Sequence, residues 1–373
     1  MNHFYQLLIP IIIPKILAEY DLSLVSAGLL ISVYSLSYAL LQMISSLLSR
    51  IVGRKKIIIL GLIITSASFL ALAFVKDLAI FAIILFVAGA GGSTYHPSGM
   101  PLLSEFYEKD RGKVAGFHQT GGSIGSVLAP IIISPLVVFL GWRSALTILT
   151  IPGFALAAVM WMLLPDTRRK VESKYEQTGP EGSEKTFLET YGSCLTLIAA
   201  TVVYTLGIRA VNSLAVLYFQ NGRGMDYIQA NFMFSLLQVA GLFSGPVSGK
   251  LSDVFGRKRV ISILIGIEAS CLYALVVTPE SLLAIPCITF GFSSFGLLAA
   301  TDAFLTDITP NRFMETIFGL SFTLGFFTQV IIPPLYGLIS VSTNSLSIGF
   351  IVLSAVVPFS IPIVLKVQDK GSK

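Results

Sequence analysis

A chain of 373 residues that is 54% apolar and only 12% charged, with a mean hydropathy of +0.82, is not a water-soluble domain, because such domains carry about 25% charged residues. The net charge of +5 lies at the ends of apolar runs, not on a polar face, which excludes a nucleic-acid surface. Cys194, Cys271 and Cys287 all fall inside apolar stretches without metal-ligand spacing and read as small buried hydrophobes, so neither metal nor cofactor is expected.

Charge clusters and Gly/Pro punctuation divide the chain into twelve predicted spans. They lie near 3–18, 24–49, 57–75, 78–104, 114–139 and 143–164, then 191–219, 227–249, 260–277, 281–306, 314–339 and 343–365. Runs of about 18 residues cross a hydrocarbon core of roughly 30 Å as helices, and the ten-residue alternation of barrel strands is absent. The predicted fold class is all-α and integral to the membrane. The first apolar run opens at Phe4 without a basic leader, so no cleavable signal peptide is evident.

Span 1 opens on Asn2, His3, Tyr5 and Gln6, which are either polar caps of a helix end or part of a cargo site. Spans 2 and 3 are joined through Arg50, Gly53, Arg54, Lys55 and Lys56. In span 4, Tyr95 and His96 precede Pro97, which can kink the helix near the midplane. An imidazole at that depth can bind cargo, carry a proton or hydrogen-bond to a neighbouring helix. Span 5 sets His118 and Gln119 beside Gly121, Gly122, Gly125 and Ala129, a face that lets helices approach closely.

Residues 165–190, rich in Lys, Arg and Glu around Gly179-Pro180, read as a hydrated linker between a bundle at 1–164 and one at 191–373. Span 7 then carries Arg209, with Tyr204 and Asn212 on nearby faces. Ionisable groups at membrane depth cost roughly 2.5–3.5 kcal/mol each, and a buried guanidinium needs either a protein carboxylate or an anionic substrate. Glu268 in span 9 and Asp302 in span 10 are the available carboxylates. Glu268 is open to two readings: a coupling residue, or a group facing a partner or a lipid defect. The link between spans 8 and 9 repeats the earlier basic loop as Gly249, Asp253, Gly256, Arg257, Lys258 and Arg259.

Two patterns organise these spans. Of 25 lysines and arginines, only Lys15, Lys76, Arg143 and Arg223 fall on one side, with Arg209 inside a span; the rest mark the cytoplasmic side, with both termini there. Gly53 and Gly256, Gly116 and Gly319, and Pro130 and Pro333 share one offset of 203 positions. A six-span repeat preserves orientation, so parallel halves related by a pseudo-two-fold axis along the membrane normal follow.

With these features the chain resembles the major facilitator superfamily of secondary transporters over essentially its whole length. The resemblance rests on twelve spans, a charged central linker, and the family's loop motif at Gly249-Lys-Leu-Ser-Asp253-Val-Phe-Gly256-Arg257-Lys258-Arg259, degraded in the first copy, where Ser46 and Arg50 replace the glycine and the aspartate. A narrower likeness, through Tyr95-His96-Pro97-Ser-Gly99 and Gly121-Gly122-Ser-Ile-Gly125, is to the fosmidomycin-resistance-like branch, which implies drug export. The motif's acid can hold a helix end, while its basic residues meet lipid phosphates, so an acidic latch is expected on the second half, which keeps Asp253; the resemblance also implies that span 9 is peripheral.

The resulting expectation is a plasma-membrane transporter working by alternating access, as a monomer among lipids, on a small-molecule substrate and coupled to a proton or other ion gradient. Substrate-binding candidates are His96, Arg209, Tyr95, Asn212, Gln119, Tyr5 and Gln6; proton-coupling candidates are His96, His118, Asp302 and Glu268. An importer or uniporter of an organic anion, or a transport-dead sensor, are the alternatives. Phosphate-loop, nucleophile-elbow and zinc-protease motifs are missing, so no enzyme is expected.

Overall fold

Proline placement decides which predicted spans are continuous. The computed structural model describes residues 1–106, 111–165, 184–310 and 313–368. The first span is split into α1 (Asn2–Gln6) and α2 (Leu8–Tyr20). After α3 (Leu24–Val52) and α4 (Arg54–Leu72), the fourth is split into α5 (Leu78–Gly92) and α6 (Tyr95–Phe106). Pro10 and Pro97 stand four residues after Gln6 and Ser93 and, lacking an N–H, leave those carbonyls without their helical bond. The expected kink at His96-Pro97 is therefore a break at Ser93-Thr94, one turn earlier than the proline itself. α7 (Arg111–Leu140) and α8 (Trp142–Leu163) complete the first half.

The second half runs through α9 (Glu184–Leu217), a π-helical turn at Tyr218–Gly222, α10 (Tyr227–Val239), α11 (Gly241–Phe255) and α12 (Arg257–Val277). It closes with α13 (Ala284–Ile308), α14 (Met314–Thr343), α15 (Leu346–Val356) and α16 (Ser360–Lys366), the last two joined by a 3-10 turn at Val357–Phe359. Among the described residues, 11 helices are long and apolar enough to cross a membrane. The first span, broken at Leu7, supplies no single helix of that length. The predicted linker lies largely outside the described residues.

The 203-position repeat is visible in backbone geometry. Gly53 (φ 100°, ψ 138°) and Gly256 (φ 92°, ψ 136°) hold the same positive-φ conformation at the same helix junction, which a β-carbon would strain. Just before them, Ser49 Oγ donates to the Ser46 carbonyl and Ser252 Oγ to the Gly249 carbonyl, each at 2.7 Å. At the opposite end, Arg143 Nη1 donates to the carbonyls of Ala73 (3.1 Å) and Val75 (2.7 Å) beyond α4. Arg223 donates to Val276 (2.6 Å) and Thr278 (2.5 Å), the positions 203 further on, at the end of α12. Both arginines satisfy carbonyls that helix termini leave open.

Arg143 is further held by Glu19 Oε1 at 2.6 Å, while Trp142 Nε1 donates to Glu19 Oε2 at 2.6 Å. Arg143→Ala is expected to lower the melting temperature by several degrees, since it strands two carbonyls and a carboxylate. Arg143→Lys is expected to recover only part of the loss, because an ammonium cannot fork across three acceptors. A thermal melt of the purified protein reads both.

At the basic end the loop motif is an ion-pair bridge. Arg257 bonds to Asp253 on α11 at 2.5 Å and to Asp307 on α13 at 2.8 Å. The expected acidic latch on the second half is thus shared by two aspartates around one arginine. In the first copy, Lys55 bonds the Leu164 carbonyl and lies 5.5 Å from the Trp161 ring. The side chain of Arg50 lies outside the described residues.

Candidate functional site

Arg209 stands where the two halves meet. Its Nη1 donates to Gln329 Oε1 on α14 at 3.3 Å, and its guanidinium carbon lies 4.8 Å from the Phe326 ring centre. Its Nε is shielded from solvent and has no hydrogen-bond partner. Neither Asp302 nor Glu268 reaches it: among the described residues, no carboxylate pairs with Arg209. Of the two partners expected for this arginine, the protein carboxylate is therefore absent among the described residues.

Opposite Arg209, α3 presents Tyr34, Ser35 and Tyr38, and α1 presents Gln6. The Tyr38 ring stacks on Phe326 at 5.0 Å and 28°, across the seam between the halves. With Gln329, these residues enclose a cavity of only about 10 Å³, room for about one water. Gln6 Nε2 and Tyr34 Oη point into the protein without partners. Gln6 is the 203-offset counterpart of Arg209, so both halves aim the same helix position at the centre.

Beside this cavity the first half gathers its imidazoles. The His3 and His96 rings are 5.3 Å apart, Tyr95 and His96 are 5.2 Å apart, and Tyr95 stacks on His118 at 5.3 Å and 16°. Tyr95 Oη lies 3.2 Å from His118 Nε2. Asn2 Nδ2 ties the group to Tyr38 Oη (3.3 Å) and the Gly92 carbonyl (3.2 Å). The break at Ser93-Thr94 starts α6 on Tyr95, at the centre of this cluster.

Other predicted residues are placed elsewhere. Tyr5 is 1% exposed and lies 3.2 Å from Ser66 Oγ, donating to the Leu149 carbonyl at 3.1 Å, so it fastens α1 to α4 and α8 and does not line the cavity. Asn212 accepts from Gln238 Nε2 at 3.0 Å, tying α9 to α10. Gln119 lies outside the described side chains. Asp302 follows Thr301, which accepts a bond from Tyr204 at 3.1 Å within the second half. Glu268 does not face lipid: it is fully buried, both its oxygens lack hydrogen-bond partners, and it packs against Gly207. Gly207 and Arg209 are two residues apart, hence roughly 200° apart around the helix. One face of α9 therefore serves the seam and the other covers Glu268.

Sequence reasoning missed Tyr34, Tyr38, Phe326 and Gln329 as lining residues and left His3 at a helix end. The i, i+4 pair Tyr34/Tyr38 among Ser32, Ser35 and Ser37 is a polar stripe in an apolar span and was readable. Phe326, one of 26 phenylalanines, was not.

The seam is shut on the side away from the basic loops. Gly28 lies so close to α14 that an added β-carbon would sit 2.5 Å from the Pro333 carbonyl carbon, and one on Gly337 would sit 2.7 Å from the Leu24 oxygen. Ser32 Oγ donates to Val330 (2.5 Å), Tyr227 Oη to Ile11 (3.0 Å), and the Lys15 ammonium lies 4.9 Å from the Tyr227 ring. A larger hollow of about 470 Å³ at Met225, Gln229 and Glu280 belongs to the second half alone and is off the seam.

A sequence model described as Major Facilitator Superfamily matches residues 2–333 and, in a second match, 197–370. The chain is similar to a "Probable L-galactonate transporter" of Escherichia coli (strain K12), 23% identical over 91% of this chain and 80% of that protein. It is likewise similar to a "Cis,cis-muconate transport protein" of Acinetobacter baylyi, 23% identical over 91% of this chain and 84% of that protein. In fold it matches the crystal structure of a D-xylose-proton symporter with a TM-score of 0.83, covering 100% of this chain and 96% of that one at 14% identity.

Proposed function

Because this chain belongs to the Major Facilitator Superfamily, we propose that Arg209 is the anchor for a small organic anion carried together with protons. The protein is a multi-pass membrane protein and a secondary transporter of small organic solutes. The anion reading rests on one observation: a guanidinium at the seam whose hydrogen-bond partner is a neutral amide. A charge removed from water without a counter-charge is costly, and a cargo carboxylate supplies that counter-charge in a bidentate geometry. The names of the galactonate and muconate relatives both denote carboxylate anions, which supports the same reading.

The imidazoles of His3, His96 and His118, with Tyr95 between them, are the proposed proton carriers; Asp302 and the buried Glu268 are the carboxyl candidates. The basic loops are assigned to the cytoplasmic side of a plasma membrane by the positive-inside rule. The side shut in this structure is then the outer one, and the cargo path opens inward.

Purified protein in liposomes tests coupling. Uptake of a carboxylate probe such as benzoate is expected to rise several-fold under an inward proton gradient and to collapse with a protonophore. Flux indifferent to pH would sink proton coupling while leaving anion transport standing. Export by proton antiport is the second reading, favoured by the Tyr95-His96-Pro97-Ser-Gly99 string at the site. It requires the opposite dependence, with cargo moving against the proton gradient.

A further inference from the structure

We propose that the Tyr38–Phe326 stack selects a planar, conjugated body for the anion, so that the cargo class is flat aromatic or unsaturated monocarboxylates. The proposal deepens, and rests on, the assignment of Arg209 as the anion anchor. Three observations carry it. Tyr38 belongs to the first half and Phe326 to the second, and their rings face each other at 5.0 Å and 28°. The Arg209 guanidinium is 4.8 Å from the same Phe326 ring. The cavity beside them holds about 10 Å³, so cargo enters only when the halves part at this stack.

When the halves separate, two aromatic faces 28° from parallel become available, one on each half, with the Arg209 guanidinium over the ring of one of them. A flat conjugated ring is the body that fits between such faces and restores the offset stacking that their separation loses. Its carboxylate, held in the plane of the ring by conjugation, then points toward the guanidinium, with Gln329 and Gln6 as amide neighbours. A puckered or branched body holds the faces further apart and recovers little of that contact. The stack thus links the shape of the cargo to closure of the site, because the thinnest cargo permits the tightest approach of the halves. On this assignment Phe326 and Tyr38 set specificity, while Arg209 sets charge.

The probes are benzoate, cyclohexanecarboxylate and benzyl alcohol, which separate flatness from charge. Each is titrated against the purified full-length protein, reading thermal stabilisation, because a ligand of the folded state raises the melting temperature according to its affinity. Aromatic pairs add roughly 0.5–1.5 kcal/mol beyond area burial, hence benzoate is expected to bind about two- to twelvefold more tightly than cyclohexanecarboxylate. Benzyl alcohol is expected to bind at least tenfold more weakly than benzoate. Phe326→Leu is expected to bring the ratio between the two acids down to about one. Equal affinity for the two acids in the native protein, with benzyl alcohol still rejected, would overturn the flat-cargo proposal and leave the anion site intact. If benzyl alcohol binds as well as benzoate, the anion reading itself fails. Should Phe326→Leu not fold, the ratio of the two acids on the native protein decides alone.

Discussion

Arg209→Gln is expected to abolish uptake of anionic cargo while the protein still folds and inserts. Glutamine keeps a neutral hydrogen-bonding head and adds no bulk, although it ends about two bonds short of the nitrogen that meets Gln329. The charge is what disappears. Removing one partner of a desolvated charge pair costs about 2–5 kcal/mol, which at 1.4 kcal/mol per tenfold corresponds to a loss of affinity between about 30-fold and several thousand-fold. Arg209→Lys keeps the charge but loses the planar fork that meets a carboxylate with two bonds, and is expected to fall between the two. Binding measured by thermal stabilisation, with uptake into liposomes alongside, checks the series. If Arg209→Gln leaves affinity for an anionic probe unchanged, the anchor is elsewhere.

The second large effect is mechanical. Gly28 and Gly337 sit where α3 and α14 touch on the side facing away from the basic loops, and a β-carbon on either would press into backbone of the other half. Backbone cannot step aside as a flexible side chain can. Overpacking costs roughly 1–3 kcal/mol, and here the cost falls only on the state in which this end is shut. Gly28→Val is therefore expected to shift the equilibrium toward the state open at this end by roughly five- to hundredfold. The melting temperature changes little, because the open state escapes the clash. Uptake should drop accordingly, and a thiol reagent should label a cysteine placed at Ser32 from the outside in Gly28→Val but not in the parent. Unchanged uptake together with unchanged labelling would show that the contact is not a gate.

Much of this was legible beforehand, and the legible parts share a cause. Span lengths, the two basic loops and the common offset of 203 positions are linear properties of the chain, and hydrocarbon thickness converts them directly into helices and halves. Arg209 and His96 stood out because charge at membrane depth is rare and costly. Tyr5 was misleading for a related reason: a polar group in an apolar helix announces that it needs a partner, not which one, and its partners proved to be Ser66 and a carbonyl within its own half. Glu268 sat on a span judged peripheral, yet Gly207 opposite it lets two helices close over the carboxyl group. Phe326 could not be singled out at all. Its importance comes from facing Tyr38 across the seam, a relation between distant segments that no local pattern encodes.

The paired arginine seals, Arg143 on Ala73 and Val75 and Arg223 on Val276 and Thr278, say something about the energy of the working stroke. Each seal ties helices of one half to each other and crosses no seam. The described side-chain hydrogen bonds that do cross it, Ser32 to Val330 and Tyr227 to Ile11, are single neutral bonds to backbone carbonyls, each contributing about 1 kcal/mol, beside one cation–ring contact of Lys15 with Tyr227. A swing of one half against the other therefore leaves both sets of fork bonds unbroken, and what it has to undo is chiefly the apolar packing of α3 on α14, the most extensive contact between two helices among the described residues. Cargo tips that packing only by the amount it binds one state more tightly than the other, so a hundredfold difference in affinity supplies about 2.8 kcal/mol to the stroke.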